Sequence, residues 1–115
     1  MSIALKRAYE TPAGADGWRI LVDRLWPRGL SKEDAQIDLW LKEVAPSNAL
    51  RQWFAHDPQK WAEFGKRYRS ELRHNPALAD LQALAQQHAR LTLVYAAKDE
   101  LYNQAQVLKD VLEQS

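Results

Sequence analysis

One segment narrows the folds open to this chain more than any other. Residues 91–96 read LTLVYA, with Thr92 the single polar side chain in the run. A strand with one wet face alternates apolar and polar residues. A near-continuous apolar run of this length suits a strand buried on both faces. Covering both faces of a sheet takes helices, and helical signals lie on either side of this run. The segment therefore predicts a single α/β domain, a small, mostly parallel sheet flanked by helices.

The rest of the chain fits that frame. IALKRA (3–8) reads as a first strand, and TPAGADG behind it is a loop set by Pro12, Gly14 and Gly17. WRILVD (18–23) is rich in β formers and reads as a central strand. Pro27 and Gly29 bar regular structure through RLWPRG. QIDLWL (36–41) alternates and is read as a strand or an extended segment. Helices follow. Ser47 is an N-cap candidate for a short helix with Leu50, Trp53 and Phe54. Asp57-Pro58 and Asn75-Pro76 each place a capping side chain before a proline at the first helical position. The first of these starts a helix with Trp61, Phe64, Tyr68 and Leu72 on one face, the second a helix with Leu78, Leu81, Ala85 and His88. Asp99 is placed as the cap of a last helix with Leu101, Ala105, Leu108 and Leu112 on one face.

Composition removes several function classes. A length of 115 residues implies one domain, residues 1–115. Net charge is +1, with 16 basic and 15 acidic residues, so a duplex-DNA binder is disfavoured. There is no cysteine, which excludes disulfides, thiolate nucleophiles and cysteine-ligated metals. The longest apolar stretch falls far short of the ~20 residues a membrane span needs. No secretory h-region opens the chain, so a cytoplasmic location is expected, without a membrane partner. Tryptophan is the outlier, with five residues. Four suit the core. Trp26, between Arg24 and Pro27-Arg28, does not.

In an open α/β sheet, ligands bind beyond the carboxyl ends of the strands. Two such ends are visible, DRLWPRG (23–29) and YAAKD (95–99). If their strands are parallel neighbours, Arg24, Arg28 and Lys98 converge beside the N-terminus of the last helix, near Asp99 and Asn103. That makes a site for a small anionic ligand. The competing reading is structural: Arg24 ties the loop to Asp23, Asp38 or Asp99, and Arg28 stacks on Trp26. His56-Asp57 could act as an acid–base pair, but histidine near a helix end and Asp57 as a cap account for both residues more simply. His56, His74 and His88 lack a metal-ligand spacing, so no metal is expected, even from Asp23, His56 and Asp99. No cofactor motif is present. Lys66, Arg69 and Arg73 share a helix face, and Glu63 is spaced to pair with Arg67. That face, with exposed tryptophan, is the basis for a third reading as a protein- or RNA-binding surface.

The stretches RILVDRLWPRGLSK, WFAHDPQKW, FGKRYRSEL and LTLVYAAKDELYNQAQVL resemble the YeaO-like branch of the family known as domain of unknown function 488 (DUF488). The likeness runs from Arg19 to Leu112. It implies a fold remotely similar to rhodaneses and cysteine phosphatases, in which a strand-to-helix loop cradles an anion around a thiolate. Other branches carry a cysteine and a glutamate where Tyr95 and Ala97 stand here. They carry Cys-His-Arg where this chain has Tyr102, Asn103 and Gln104. The resemblance thus implies that the loop is kept and the nucleophile lost. A cysteine-free, non-catalytic binding module is the expected function, with Trp26 and Pro27 stiffening the loop that presents Arg24 and Arg28.

Overall fold

The computed structural model describes residues 2–114. Four strands form one sheet: β1 (Ser2–Arg7), β2 (Trp18–Leu21), β3 (Leu39–Trp40) and β4 (Arg90–Tyr95), in the order β1-β4-β2-β3. Every pairing is parallel, so the expected "mostly parallel" sheet is wholly parallel among the described residues. The apolar run becomes the second strand in spatial order, paired on both edges, Leu93 opposite Leu5 on one side and Ile20 on the other. Burial on both faces follows, and residues 91–95 are all buried.

Five helices accompany the sheet: α1 (Lys32–Ala35), α2 (Asn48–Phe54), α3 (Trp61–Arg73), α4 (Pro76–Gln87) and α5 (Gln104–Glu113). The sheet's two sides differ. Ile20, Val22, Leu91, Leu93 and Tyr95 face the main core, where Phe54, Phe64, Tyr68, Leu72, Leu81, Leu108 and Leu112 bring in α2 to α5. Leu21 and Val94 face the thinner side, covered by Trp26, Leu30, Ile37 and Trp40. A polar knot closes that side. Arg19, buried, donates to the Asp16 carboxylate at 2.6 Å and to the Ala35 carbonyl at 2.9 Å, and Lys6 reaches the same carboxylate at 3.1 Å.

Gly17 at the head of β2 has φ +66°, and a Cβ there would lie 2.3 Å from the Arg90 carbonyl oxygen. Only glycine lets β2 start so close to β4.

Three expectations change. β2 ends at Leu21 rather than Asp23; the Val22 N–H still bonds the Val94 carbonyl, and then the chain turns away. QIDLWL yields just two ladder residues. Gln36 is the left-handed C-cap of α1, a helix the sequence reading missed, and the Asp38 carboxylate accepts from the Arg19 N–H instead of extending the strand. Asp99 does not cap α5. Asn103 does, its side chain accepting from the Gln106 N–H, while the Asp99 carboxylate accepts from the N–H groups of Leu101 and Tyr102 one turn earlier. Leu101 consequently lies outside the helix, 67% exposed.

Candidate functional site

Because all four strands run the same way, Arg7, Leu21, Trp40 and Tyr95 end on one edge. A cleft of about 340 Å³ opens beyond it. Its polar lining comes from Asp23, Arg24 and Arg28 after β2, Arg51 on α2, His56 behind α2, and Asn103 and Gln104 at the start of α5. Phe54, Phe64, Pro27 and Pro46 supply apolar wall.

Asp23 stands at the junction of the two central strands. Its carboxylate accepts from the Ala96 N–H at 2.8 Å and from the Gln104 side-chain amide. The Trp40 indole N–H donates to its main-chain carbonyl at 2.7 Å. Burial pushes the Asp23 carboxyl up to about 6, against the pull of the Ala96 and Gln104 donors and of nearby Arg51 and His56.

The RLWPRG loop is held from several directions. Pro27 is buried, and the Leu30 N–H closes a turn onto the Pro27 carbonyl with Gly29 at φ +79°. The Trp26 indole N–H donates to the Leu30 carbonyl at 2.6 Å, and its ring meets Trp40 edge-on at 5.6 Å. The Tyr9 hydroxyl donates to the Arg28 carbonyl at 2.9 Å. Trp26 is therefore partly buried and braces the loop as well as lining the cleft.

Arg24 makes no ion pair with Asp23, Asp38 or Asp99. Its Nη2 donates to the carbonyls of Ala45 and Pro46 at 3.2 and 3.3 Å. The residues on either side of them are fixed in turn from α3: the Tyr68 hydroxyl donates to Val44 O at 2.5 Å, and Glu71 accepts from the Ser47 N–H and hydroxyl at 2.9 and 2.6 Å. The Arg24 Nε is shielded from water and has no hydrogen-bond partner, the single such side-chain atom among the described residues.

Of the residues singled out by sequence, Arg24, Trp26, Arg28, His56 and Asn103 come together around the cleft. Lys98, Asp99 and Asp57 do not line it. The Asp99 turn carries the chain off toward α5 with Lys98 exposed before it, and the Asp57 carboxylate accepts from the Gln59 N–H as a cap. His56 sits on strained backbone, with Ala55 and His56 at φ +47° and +58°. From the sequence, Asp23 was a strand end, a tie for Arg24 or a metal ligand, Gln104 entered only through the resemblance, and Arg51 was missed. Nothing local distinguishes Arg51 or Gln104 from surface residues of a helix. Among the described residues, no group of three or more histidine, aspartate or glutamate side chains is placed to hold a metal ion. No helix among them is long and apolar enough to cross a membrane.

Of the residues that the resemblance sets at its cysteine, glutamate and Cys-His-Arg positions, Tyr95 is buried at the end of β4 and Ala97 lines the cleft. Asn103 caps α5, and Gln104 bonds Asp23.

Fold and cleft define a cysteine-free, parallel α/β domain with an arginine-lined crevice at the carboxyl edge of its sheet. The chain belongs to the DUF488 family: residues 2–115 match the group described as the inactive DUF488-N3 subclade. It is 42% identical over 112 residues to the uncharacterized protein YeaO of Escherichia coli K12, covering 97% of each chain. Uncharacterized proteins of Mycobacterium tuberculosis and Mycobacterium bovis are each 40% identical over 110 residues, 96% of this chain and 92% of theirs. No solved structure matches the chain, so the likeness to rhodaneses and cysteine phosphatases gains no support from that comparison.

Proposed function

We propose that this protein is a non-catalytic binding module that takes a small anionic or nucleotide-like ligand in the cleft at the carboxyl edge of its sheet. The observation that carries the reading is a cleft lined by three arginines that make no ion pair. Arg19, Arg67 and Arg69 face carboxylates, Arg7 and Arg90 donate to main-chain carbonyls, and Arg73 lies in a separate groove on α3. Arg24, Arg28 and Arg51 have no carboxylate partner among the described residues, and all three line one cleft. Guanidinium groups free of ion pairs around a concave, partly apolar wall concentrate anions, and their planar forks match carboxylate and phosphate oxygens. A small rotation of the Arg24 fork toward a bound oxyanion would also satisfy its unmet Nε. The lack of cysteine and the description of the matched subclade as inactive support binding over catalysis. A cytoplasmic location belongs to the same reading.

An acid–base role, the alternative, falls to His56 with Asp23, since Asp57 is engaged as a cap. One observation favours a partner-binding surface instead. The exposed large apolar residues, Tyr9, Leu25 and Leu101, all lie on loops at the carboxyl edge.

Thermal melting against phosphate, sulfate, carboxylates and nucleotides separates these readings. A ligand that binds only the folded state raises the melting temperature with its occupancy. The expected result is a shift with at least one anion that Arg28→Ala and Arg51→Ala each reduce. A shift unchanged by both substitutions contradicts the assignment. No shift with any anion moves the reading to a protein partner.

A further inference from the structure

The anion reading leaves Asp23 unaccounted for. A carboxylate in an arginine-lined cleft weakens the cleft's attraction for a simple anion, yet Asp23 forms no ion pair with Arg24, Arg28 or Arg51. The fold does not need its charge. An asparagine oxygen could accept the Ala96 N–H, and Gln104 could turn its amide to meet the new N–H₂. Removing a charge from water without an ionic partner is costly. Burial accordingly raises its carboxyl to about 6. A carboxylate offers about four acceptor positions, and two donors within the chain leave the rest open. The group is also held still, by Ala96 and Gln104 on the side chain and by Trp40 on the main chain.

Resting on the anion reading, we propose that the ligand is a small zwitterion of amino-acid size. Its anionic group docks on Arg28 and Arg51, and a protonated primary amine beside it docks on Asp23. The cleft of about 340 Å³, with Phe54, Phe64 and Pro27 in its wall, suits a short carbon body. The charged groups around Asp23 are Arg24 on its own loop and Arg51 and His56 from α2 and the turn behind it. Tyr68 of α3 is the remaining titratable neighbour.

Matched probes test this: L-leucine against 4-methylpentanoate, and phosphoethanolamine against ethyl phosphate. Each pair shares its anion type and differs in the amine. Calorimetric titration of the full chain is expected to show the amine-bearing member binding about ten-fold tighter, the worth of one charge-assisted hydrogen bond. Asp23→Asn should erase that advantage, and the Arg28→Ala/Arg51→Ala double variant should weaken both members. Equal binding of the two members, or an advantage that survives Asp23→Asn, overturns the zwitterion while leaving the anion reading intact. An Asp23→Asn variant that improves the amine-free member, with no amine advantage in the wild type, points to proton uptake by Asp23 and also overturns it. If neither member of either pair binds, the zwitterion falls, and the anion reading stands or falls on the melting panel alone. Should Asp23→Asn not fold, the wild type decides. For the leucine pair, whose own charges hold nearly constant over the range, the amine advantage should shrink from about pH 8 to about pH 5.5 as Asp23 gains its proton, and a constant advantage overturns the proposal.

Discussion

At the end of β2 one carboxylate both joins the central strands and faces the cleft, and its protonation links folding to pH. The Asp23 carboxyl sits near 6 in the folded chain, against an ordinary 3.8. Between those values the folded state holds a proton that the unfolded state has released. Stability from this group is thus fully present below about pH 4 and is lost as pH rises through 6, by at most about 3 kcal/mol. Asp23→Asn removes that loss. Urea denaturation should find the variant close to wild type near pH 4 and about 1–3 kcal/mol more stable at pH 8. A variant less stable at pH 8 than at pH 4, relative to wild type, would show that the carboxylate is stabilised by its neighbours rather than penalised by burial. No sequence pattern announces this role. Asp23 acts through Ala96 and Gln104, 73 and 81 residues away.

At the level of elements, the capping signals were legible and the clamps between elements were not. Ser47 and Asn75 each accept an N–H at the start of the helix they were read to begin, while Asp57 caps a 3-10 turn, Pro58–Lys60, that leads into α3. Those contacts are local, so residue type and a following proline reveal them. Asn103 was passed over for Asp99 because both are good caps, and the choice rests on where the chain leaves β4. Ser47 shows how much lies beyond the local signal. Its hydroxyl accepts from the Leu50 N–H and donates to Glu71 of α3, which also takes the Ser47 N–H. This clamp sets the start of α2, the helix that carries Arg51 into the cleft. Ser47→Ala should cost about 1–2 kcal/mol in chemical denaturation and should weaken anion binding through misplacement of Arg51. Lost stability with unchanged binding would separate the clamp from the site.

For the molecule as a whole, the apolar run at 91–96 was enough to imply a covered parallel sheet, and a parallel sheet was enough to place a crevice at its carboxyl edge. The tryptophan-rich loop then located one wall, with Arg24, Trp26 and Arg28. The opposite wall, Arg51 and His56 from α2 and Gln104 from α5, depends on how helices pack over the sheet, and neither periodicity nor capping encodes that. These two walls are proposed to bind an anion between them. Nuclear magnetic resonance of the uniformly labelled protein, titrated with inorganic phosphate and read at the arginine Nε–H, tryptophan indole and Gln104 amide signals, tests this most directly. Saturable shifts are expected at Arg24, Arg28, Arg51, Trp26 and Gln104, with Arg69 and Arg73 in the groove lined by α3, α4 and α5 unmoved. Shifts confined to Arg69 and Arg73, or none that saturate at the cleft, would contradict it.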